Sequence, residues 1–77
     1  MTYAVDFDKL EKGDIVVIYD RGNYLAVTVK HINKIFKTID CEVEGYVSFY
    51  NVSWLDVNPF FARTYKTTYL KEVKDNA

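Results

Sequence analysis

Cysteine and histidine each occur once in this chain, as Cys41 and His31. A single cysteine excludes an internal disulfide. One cysteine with one histidine also falls short of the ligand cluster that a structural metal site needs. The sequence therefore predicts no metal site and no cofactor, and stability must come from side chains packed in a core.

Long apolar runs are missing as well. No uninterrupted apolar stretch reaches the roughly 18 residues of a membrane-spanning helix. The N-terminal sequence MTYAVDFDKLEKGD is acidic and lacks the basic start and apolar block of a secretory signal. A lone thiol without such a signal is typical of a reducing compartment, so we expect a cytoplasmic protein that makes no membrane contact.

Apolar and aromatic side chains, in contrast, are abundant. The 77 residues are 49% hydrophobic and 17% aromatic. Aromatic rings bury a large area each, which suits a short chain that must build a core. The composition therefore predicts a single domain over residues 1–77 that is ordered over residues 3–73, with residues 74–77 fraying.

The clearest local pattern is a β-hairpin. Residues 15–19 (IVVIY) and 25–29 (LAVTV) are rich in β-branched and aromatic side chains. Between them, Gly22 and Asn23 form a dipeptide that suits a two-residue hairpin loop. The sequence therefore predicts two antiparallel strands joined by a tight turn.

The loop length sets the register of this hairpin. A two-residue loop pairs Ile18 with Val27 and Val16 with Val29 on one face. A three-residue loop over residues 21–23 would shift the register by one residue and exchange the faces of the first strand. The shorter loop is favoured.

The next strand alternates strictly between apolar and acidic side chains. Its inner residues are Ile39, Cys41 and Val43, and its outer residues are Asp40, Glu42 and Glu44. Such alternation is typical of a strand with one face in water. Folding back around Phe36 pairs Val29 with Val43 and His31 with Cys41 inside, and Lys30 with Glu42 and Thr28 with Glu44 outside. The predicted core is then Val16, Ile18, Val27, Val29, Ile39, Cys41 and Val43.

Gly45 predicts a bend or bulge at which the sheet curls. If the alternation continues beyond Gly45, Val47 and Phe49 lie inside, whereas Tyr46, Ser48 and Tyr50 face outward. A bulge would reverse this order.

The remaining segments complete a count of about five strands. Residues 2–7 predict a short strand, and Asp6 predicts the cap of one helical turn. Proline cannot donate to a strand ladder, so no central strand should cross Pro59. Residues 60–63 are predicted as a turn or a single-turn helix, and residues 64–73 as the last strand.

The order of these elements resembles the small SH3-like barrels, in particular Tudor and KOW domains. The resemblance covers residues 10–73 and rests on the Lys12-Gly13-Asp14 turn that leads into Ile-Val-Val-Ile, the three-strand meander, the turn near Pro59 and the final strand. It implies an all-β fold, a small five-stranded, partly open barrel with a one-turn helix. It also implies a binding role, because such barrels mostly bind peptides or nucleic acids and are rarely enzymes.

His31 and Cys41 are the only pair that suggests catalysis, as a thiolate–imidazole dyad. An inward cysteine in an apolar row is more typical of a small buried hydrophobe. The row of outer carboxylates on the same strand runs parallel rather than converging, which is typical of a solvated face. We therefore expect a protein that is not an enzyme.

Aromatic residues are concentrated between Tyr46 and Tyr69, and a barrel this small cannot enclose them all. One interpretation is a second small core at the open end of the barrel. The other is a contact surface for another protein, since Tyr and Trp are favoured at interfaces. The residues that we predict to bind a partner protein, or a second copy of the chain, are Tyr46, Tyr50, Trp54 and Phe60.

The alternative function is binding of single-stranded RNA or DNA, with bases stacked on the same rings. The residues that would hold the phosphates are Arg21, Lys30, Lys34, Lys37, Arg63 and Lys66. The net charge of −1 and the pI of about 5.7 weigh against this function, because neutralising phosphates normally dominates affinity. Heavy use of Lys, Asn, Ile and Tyr, as in AT-rich genomes, suggests a small bacterial or phage accessory protein that acts on a larger host complex.

Overall fold

The computed structural model describes residues 2–61 and 68–73. Within them the chain forms seven strands and two single 3-10 turns. The strands are β1 (Thr2–Val5), β2 (Ile15–Asp20), β3 (Asn23–Asn33), β4 (Thr38–Val43), β5 (Val47–Ser53), β6 (Val57–Pro59) and β7 (Leu70–Val73). The first 3-10 turn is Phe7–Lys9 and the second is Trp54–Asp56.

These strands form two antiparallel sheets. The larger has the order β5-β4-β3-β2-β6, and the smaller pairs β1 with β7. Strand β1 also lies against β6, so the small sheet lies beside this edge of the large one. The all-β fold is confirmed. The structure has seven strands rather than five, and neither sheet closes on itself within the described residues.

The β2–β3 hairpin forms, but its predicted register was wrong by two residues. Asp20 pairs with Asn23, so the loop is Arg21-Gly22, and both loop residues have positive φ (49° and 82°). Ile18 therefore faces Leu25 rather than Val27. A shift of two residues keeps every side chain on its predicted face, because the side-chain period of a strand is two.

The predicted β3–β4 register was also wrong. Val29 faces Cys41 and His31 faces Asp40, with an irregularity between Val29 and His31 that leaves Lys30 as an extra residue. A bulge of this kind puts two residues of one strand against one of its neighbour. As a result His31 is exposed and pairs with an acid, whereas Cys41 is buried.

A second bulge lies on the other side of β4. Ile39 pairs with Val52 and Cys41 pairs with Phe49, so two residues of β5 oppose Asp40 alone. One of them, Asn51, has a φ of 54°, and its N–H donates to Asp40 Oδ1 at 2.9 Å. Both neighbours of β4 are thus bent at the same level, which increases the local twist of the sheet.

The turn at Gly45 is where β4 reverses into β5. Gly45 has a φ of 77°, and the Tyr46 N–H donates to the Val43 carbonyl at 2.9 Å. Phe49 packs against the core as predicted. Val47, which was predicted inside, is 47% exposed because it lies at the end of the sheet beside this turn.

The core contains six of the residues predicted for it, and the seventh, Val43, packs against it while partly buried. The first 3-10 turn is also confirmed, with Asp6 Oδ1 accepting from the Asp8 N–H. The buried residues that sequence reasoning did not place in the core are Val5, Phe7, Leu10, Val57 and Tyr69. They come from the small sheet and from the segments that pack beside it.

Tyr69 joins the two sheets. Its side chain is fully buried, and its hydroxyl donates to the Ile15 carbonyl at 2.6 Å and accepts from the Phe60 N–H at 2.9 Å. Its own carbonyl accepts from the Asp6 N–H at 2.7 Å. This tyrosine is therefore part of the core rather than of an exposed aromatic surface.

The segment around Pro59 follows the prediction in part. Strand β6 ends at Pro59 and is an edge strand, so no central strand crosses this residue. The helical turn before it, Trp54–Asp56, was not predicted. Phe60 and Phe61 are in neither helix nor strand, and the rest of the predicted turn, with residues 64–67 of the predicted last strand, lies outside the described residues.

Candidate functional site

Strand β5 forms one outer edge of the five-stranded sheet, and its sequence VSFYNVS contains no charged residue. The uncharged stretch extends over residues 45–55, in a chain that is 27% charged. Edge strands carry unpaired backbone N–H and C=O groups, and proteins usually protect them with charges, prolines, bulges or a covering segment. Among the described residues, β5 has only the bulge at Asn51. Among the described strands, only β4 pairs with β5. We call this feature the β5 edge.

Three of the four predicted partner-binding aromatics lie along the β5 edge. Tyr46 is 90% exposed in the turn before the strand, Tyr50 is 72% exposed at the bulge, and Trp54 is 42% exposed directly after Ser53. The strand separates the first and last of them by about 25 Å. Phe60 is not part of this row: it follows β6 on the opposite edge and is half-buried against Tyr69.

The second 3-10 turn is held against the β3–β4 turn. The Trp54 N–H donates to the Lys37 carbonyl at 2.9 Å, and Lys37 Nζ lies 5.4 Å from the centroid of the indole ring. Ser53 Oγ caps the 3-10 turn by accepting from the Leu55 N–H at 3.2 Å. An ammonium group above an indole face is attracted to it. These contacts bring two turns together at one end of the sheet.

Large apolar side chains project into solvent at this end. Ile35 is 88% exposed, Phe36 is 76% exposed and Leu55 is 72% exposed. The β3–β4 turn that carries Ile35 and Phe36 is held in place, since Asn33 Oδ1 accepts from the N–H groups of these two residues at 3.1 and 3.0 Å. With Trp54, we call these residues the apolar end.

Sequence reasoning did not find the apolar end as a site. The signal was present, however, because two large apolar residues interrupt an otherwise polar turn, NKIFKT. Turns that serve only as connections are usually polar, so such a pair indicates either a buried contact or an interface.

The two bulges leave shallow clefts on the outer face of the sheet. One has a volume of about 370 Å³ and the other about 360 Å³, and both are lined by His31 and Asp40. Tyr50 and Ser48 of the β5 edge form the wall of the second cleft, which therefore opens toward that edge.

Two groups of the predicted phosphate-binding residues lie far apart. Arg21 is in the β2–β3 turn, whereas Lys34 and Lys37 follow the other end of β3. An eleven-residue strand separates these positions by about 35 Å. The structure therefore places Lys37 near Trp54, with Lys34 in the same turn, and does not place Arg21 with them.

Lys30, another predicted phosphate ligand, is already paired. Its Nζ lies 3.0 Å from Glu42 Oε1, with both side chains partly exposed. The predicted contact between Lys30 and Glu42 thus exists, although through the bulge rather than by direct pairing. Arg63 and Lys66 lie outside the described residues.

The pair that suggested catalysis is separated. His31 is on the outer face, and Cys41 is in the core with 1% of its surface exposed. Burial, with a smaller effect of the Asp40 carboxylate, raises the pKa of the Cys41 thiol to about 11. A thiol with such a pKa is almost fully protonated near neutral pH and is a poor nucleophile. Within the described residues, no three His, Cys, Asp or Glu side chains converge as a metal-binding group would.

Comparisons with protein-family models, with curated protein sequences and with solved structures give no match. The helical turns in the described residues are too short to span a membrane.

Proposed function

We propose that this protein is a non-enzymatic binding module that contacts another protein through the apolar end and the adjoining β5 edge. The observation that carries the proposal is the exposure of Ile35, Phe36 and Leu55 beside Trp54. A small soluble domain gains nothing in stability from apolar side chains in water, and grouped exposure of this kind marks interaction sites. Aromatic anchors beside aliphatic ones are the residues that dominate protein interfaces.

We further propose that the architecture is that of an SH3-like barrel. The strand order supports this proposal: β2 to β5 form a meander, a 3-10 turn follows, and β6 returns to pair with β2. On this proposal β1 and β7 are additions to the barrel. The cytoplasmic location and the role as a bacterial or phage accessory protein remain part of the same proposal, on composition alone.

Site-specific photo-crosslinking in a lysate of the source organism tests the binding function. A benzophenone amino acid replaces Phe36 in one variant and Tyr3 in the control. Tyr3 is 48% exposed on β1, away from the apolar end. We expect a discrete crosslinked protein from position 36 only, and Leu55→Ser should abolish it. Equal crosslinking from both positions, or none from position 36, would contradict the proposal.

Single-stranded nucleic acid is the second candidate ligand. The observation in its favour is that Lys37 lies beside Trp54, as a phosphate-and-stacking site would require, with Lys34 exposed in the same turn. Against it, the Lys37 ammonium already lies over the indole ring on which a base would stack. A mobility-shift titration with short single strands at two salt concentrations separates the candidates. Steep salt dependence would support nucleic acid, and the absence of a shift at micromolar protein would exclude it.

A further inference from the structure

The two outer edges of the large sheet differ in their ability to accept another strand. Strand β6 is three residues long, ends in Pro59 and lies against β1. Strand β5 is seven residues long and has neither a proline nor a charge. A short, proline-containing, covered edge cannot extend a sheet, whereas the uncharged residues of β5 that precede its bulge at Asn51 can.

The surroundings of the β5 edge are acidic. Residues 40–58 contain four acids and no base, namely Asp40, Glu42, Glu44 and Asp56. Lys30 offsets only Glu42, through the ion pair described above. Lys37 lies at the Trp54 end of this edge, so a segment placed along residues 46–50 would lie in a negative field, and a basic segment would be attracted to it.

The second cleft gives such a segment a specific contact. It lies between Tyr50 of β5 and Asp40 of β4, and its lining also includes the Lys30–Glu42 ion pair. Asn51 uses one hydrogen bond to the Asp40 carboxylate, and a carboxylate accepts up to about four. The exposed ring of Tyr50 offers a face to a cation beside it.

We propose that the β5 edge binds an extended basic peptide of a partner protein as an added strand, with one lysine or arginine side chain entering the cleft beside Tyr50 and Asp40. This inference rests on the proposed protein-binding function and names the chemistry of the partner. Backbone hydrogen bonds to β5 supply affinity, and the cleft supplies specificity, as in other cases of strand addition. A long basic side chain can reach over β5 to β4, because its stem lies along apolar surface while its charge extends beyond.

A second copy of the chain is the competing occupant. Antiparallel pairing of two β5 edges would add a second acidic surface without offsetting the first, whereas a basic peptide would offset the acids of residues 40–58. Charge therefore favours a basic peptide over self-pairing. Sedimentation velocity at about 50 μM protein checks this point. A monomer is expected, and a dimer that Ser48→Lys dissociates would overturn the proposal.

Selection from a displayed library of random nine-residue peptides tests the proposal with the intact protein. We expect the enriched sequences to alternate apolar residues with lysine or arginine. Peptides without basic residues, or no enrichment at all, would overturn it. An enriched peptide is then made with N-methyl groups on alternate residues. Two peptides are compared, methylated at the odd or at the even positions. The peptide whose methylated N–H groups would bond to β5 should lose binding, whereas the other should bind as before. Equal binding of both would exclude strand addition.

Asp40→Asn tests the cleft. Asparagine keeps the oxygen that accepts from the Asn51 N–H but removes the charge, so a basic peptide should bind about tenfold more weakly. Asp8→Asn, on the first 3-10 turn, changes the net charge equally and should leave binding unchanged. An equal loss of binding in both variants, or in neither, would overturn the contact.

If crosslinking at position 36 succeeds while no peptide pairs with β5, the strand-addition proposal fails and the binding function stands. If both experiments fail, both proposals are wrong.

Discussion

The β6 and β5 edges of the large sheet differ in whether their aromatic side chains are buried or exposed. At the β6 edge, the small sheet lies beside a short strand, and Tyr69 bonds to both Ile15 and Phe60 from a fully buried position. At the β5 edge, the rings of Tyr46 and Tyr50 project into solvent. One flank therefore buries aromatic area to stabilise the fold, and the other leaves it accessible.

This contrast matters because a chain of 77 residues has little stability in reserve. Aromatic side chains left in water do not contribute to that reserve. Substitutions at the β6 edge should therefore change the free energy of unfolding, whereas substitutions of the exposed side chains at the β5 edge should change binding alone.

Tyr69→Ala should give the largest effect. It removes a fully buried ring and both hydrogen bonds of the hydroxyl, and aromatic-to-alanine changes in cores cost about 3–5 kcal/mol. That is most of the stability of a domain this small, so the variant should be largely unfolded by circular dichroism at 25 °C.

Tyr69→Phe serves as its matched control. It keeps the ring and should cost only about 1–3 kcal/mol in urea unfolding. Tyr50→Ala, which removes the same side chain from the β5 edge, should be close to wild type. If Tyr50→Ala destabilised the protein as much as Tyr69→Ala, the contrast between the two edges would be wrong.

High pH should destabilise the protein through Cys41. The folded state raises the pKa of this thiol from 9.0 to about 11, so the thiol is neutral in both states below pH 9. Between these values the unfolded chain loses its proton first, and the free energy of unfolding falls by up to about 1.4 kcal/mol per pH unit.

Urea unfolding of wild type and Cys41→Ala at about pH 8 and about pH 10.5 measures this loss. We expect the alanine variant to be less stable than wild type at both pH values, because of the cavity it creates. Its free energy of unfolding should nevertheless fall less than that of wild type between the two pH values. Equal losses in the two proteins would show that the thiol does not contribute.

Lys30→Ala should have a smaller effect. The Lys30–Glu42 pair is partly exposed, and such pairs contribute about 0.2–1 kcal/mol. Lys34→Ala, a change of the same charge in the β3–β4 turn, is the control and should cost less. In thermal unfolding, the difference in stability between the two variants should be smaller at high salt than at low salt, because salt screens the pair.

Ser48→Lys should change stability least, by less than about 0.5 kcal/mol, since Ser48 is exposed on an edge strand. The added charge is the kind of group that protects edges from pairing. Peptides selected on wild type should therefore fail to bind this variant in fluorescence anisotropy. Retained binding would place the peptide elsewhere.

The faces of the strands could be predicted from the sequence, but their registers could not. Val16, Ile18, Val27 and Val29 are all buried as expected, because alternation fixes the face. Their partners were shifted by two, since Arg21-Gly22 forms the turn where Gly22-Asn23 was expected. Nothing in the alternation distinguishes registers that differ by two residues.

The two bulges did leave a signal in the sequence. In β3 the inward residues Val29 and Ile32 are three apart, and in β5 Phe49 and Val52 are three apart. A spacing of three in a pattern of period two indicates an inserted residue. Recognising this spacing would have predicted that His31 does not pair with Cys41, and would have placed both bulges beside Asp40.

Within the candidate site, the sequence predicted the row of aromatic residues along β5 but not where the chain goes after Trp54. Tyr46, Tyr50 and Trp54 lie on one edge, whereas Phe60 lies on the other because the second 3-10 turn carries the chain across to β2. The same 3-10 turn brings Trp54 against Lys37 of the β3–β4 turn. Only the pairing of distant segments reveals such neighbours.

The bond from Tyr69 to Ile15 joins residues 54 positions apart, and it has a consequence for how the chain folds. Closing so long a loop is entropically costly, whereas the hairpins of the meander close over short distances. We expect β2, β3 and β4 to assemble first and β7 to dock last. Until β7 docks, the apolar side chains that the two sheets bury together remain exposed, so a newly made chain is most prone to aggregate on the flank that is best protected in the native protein.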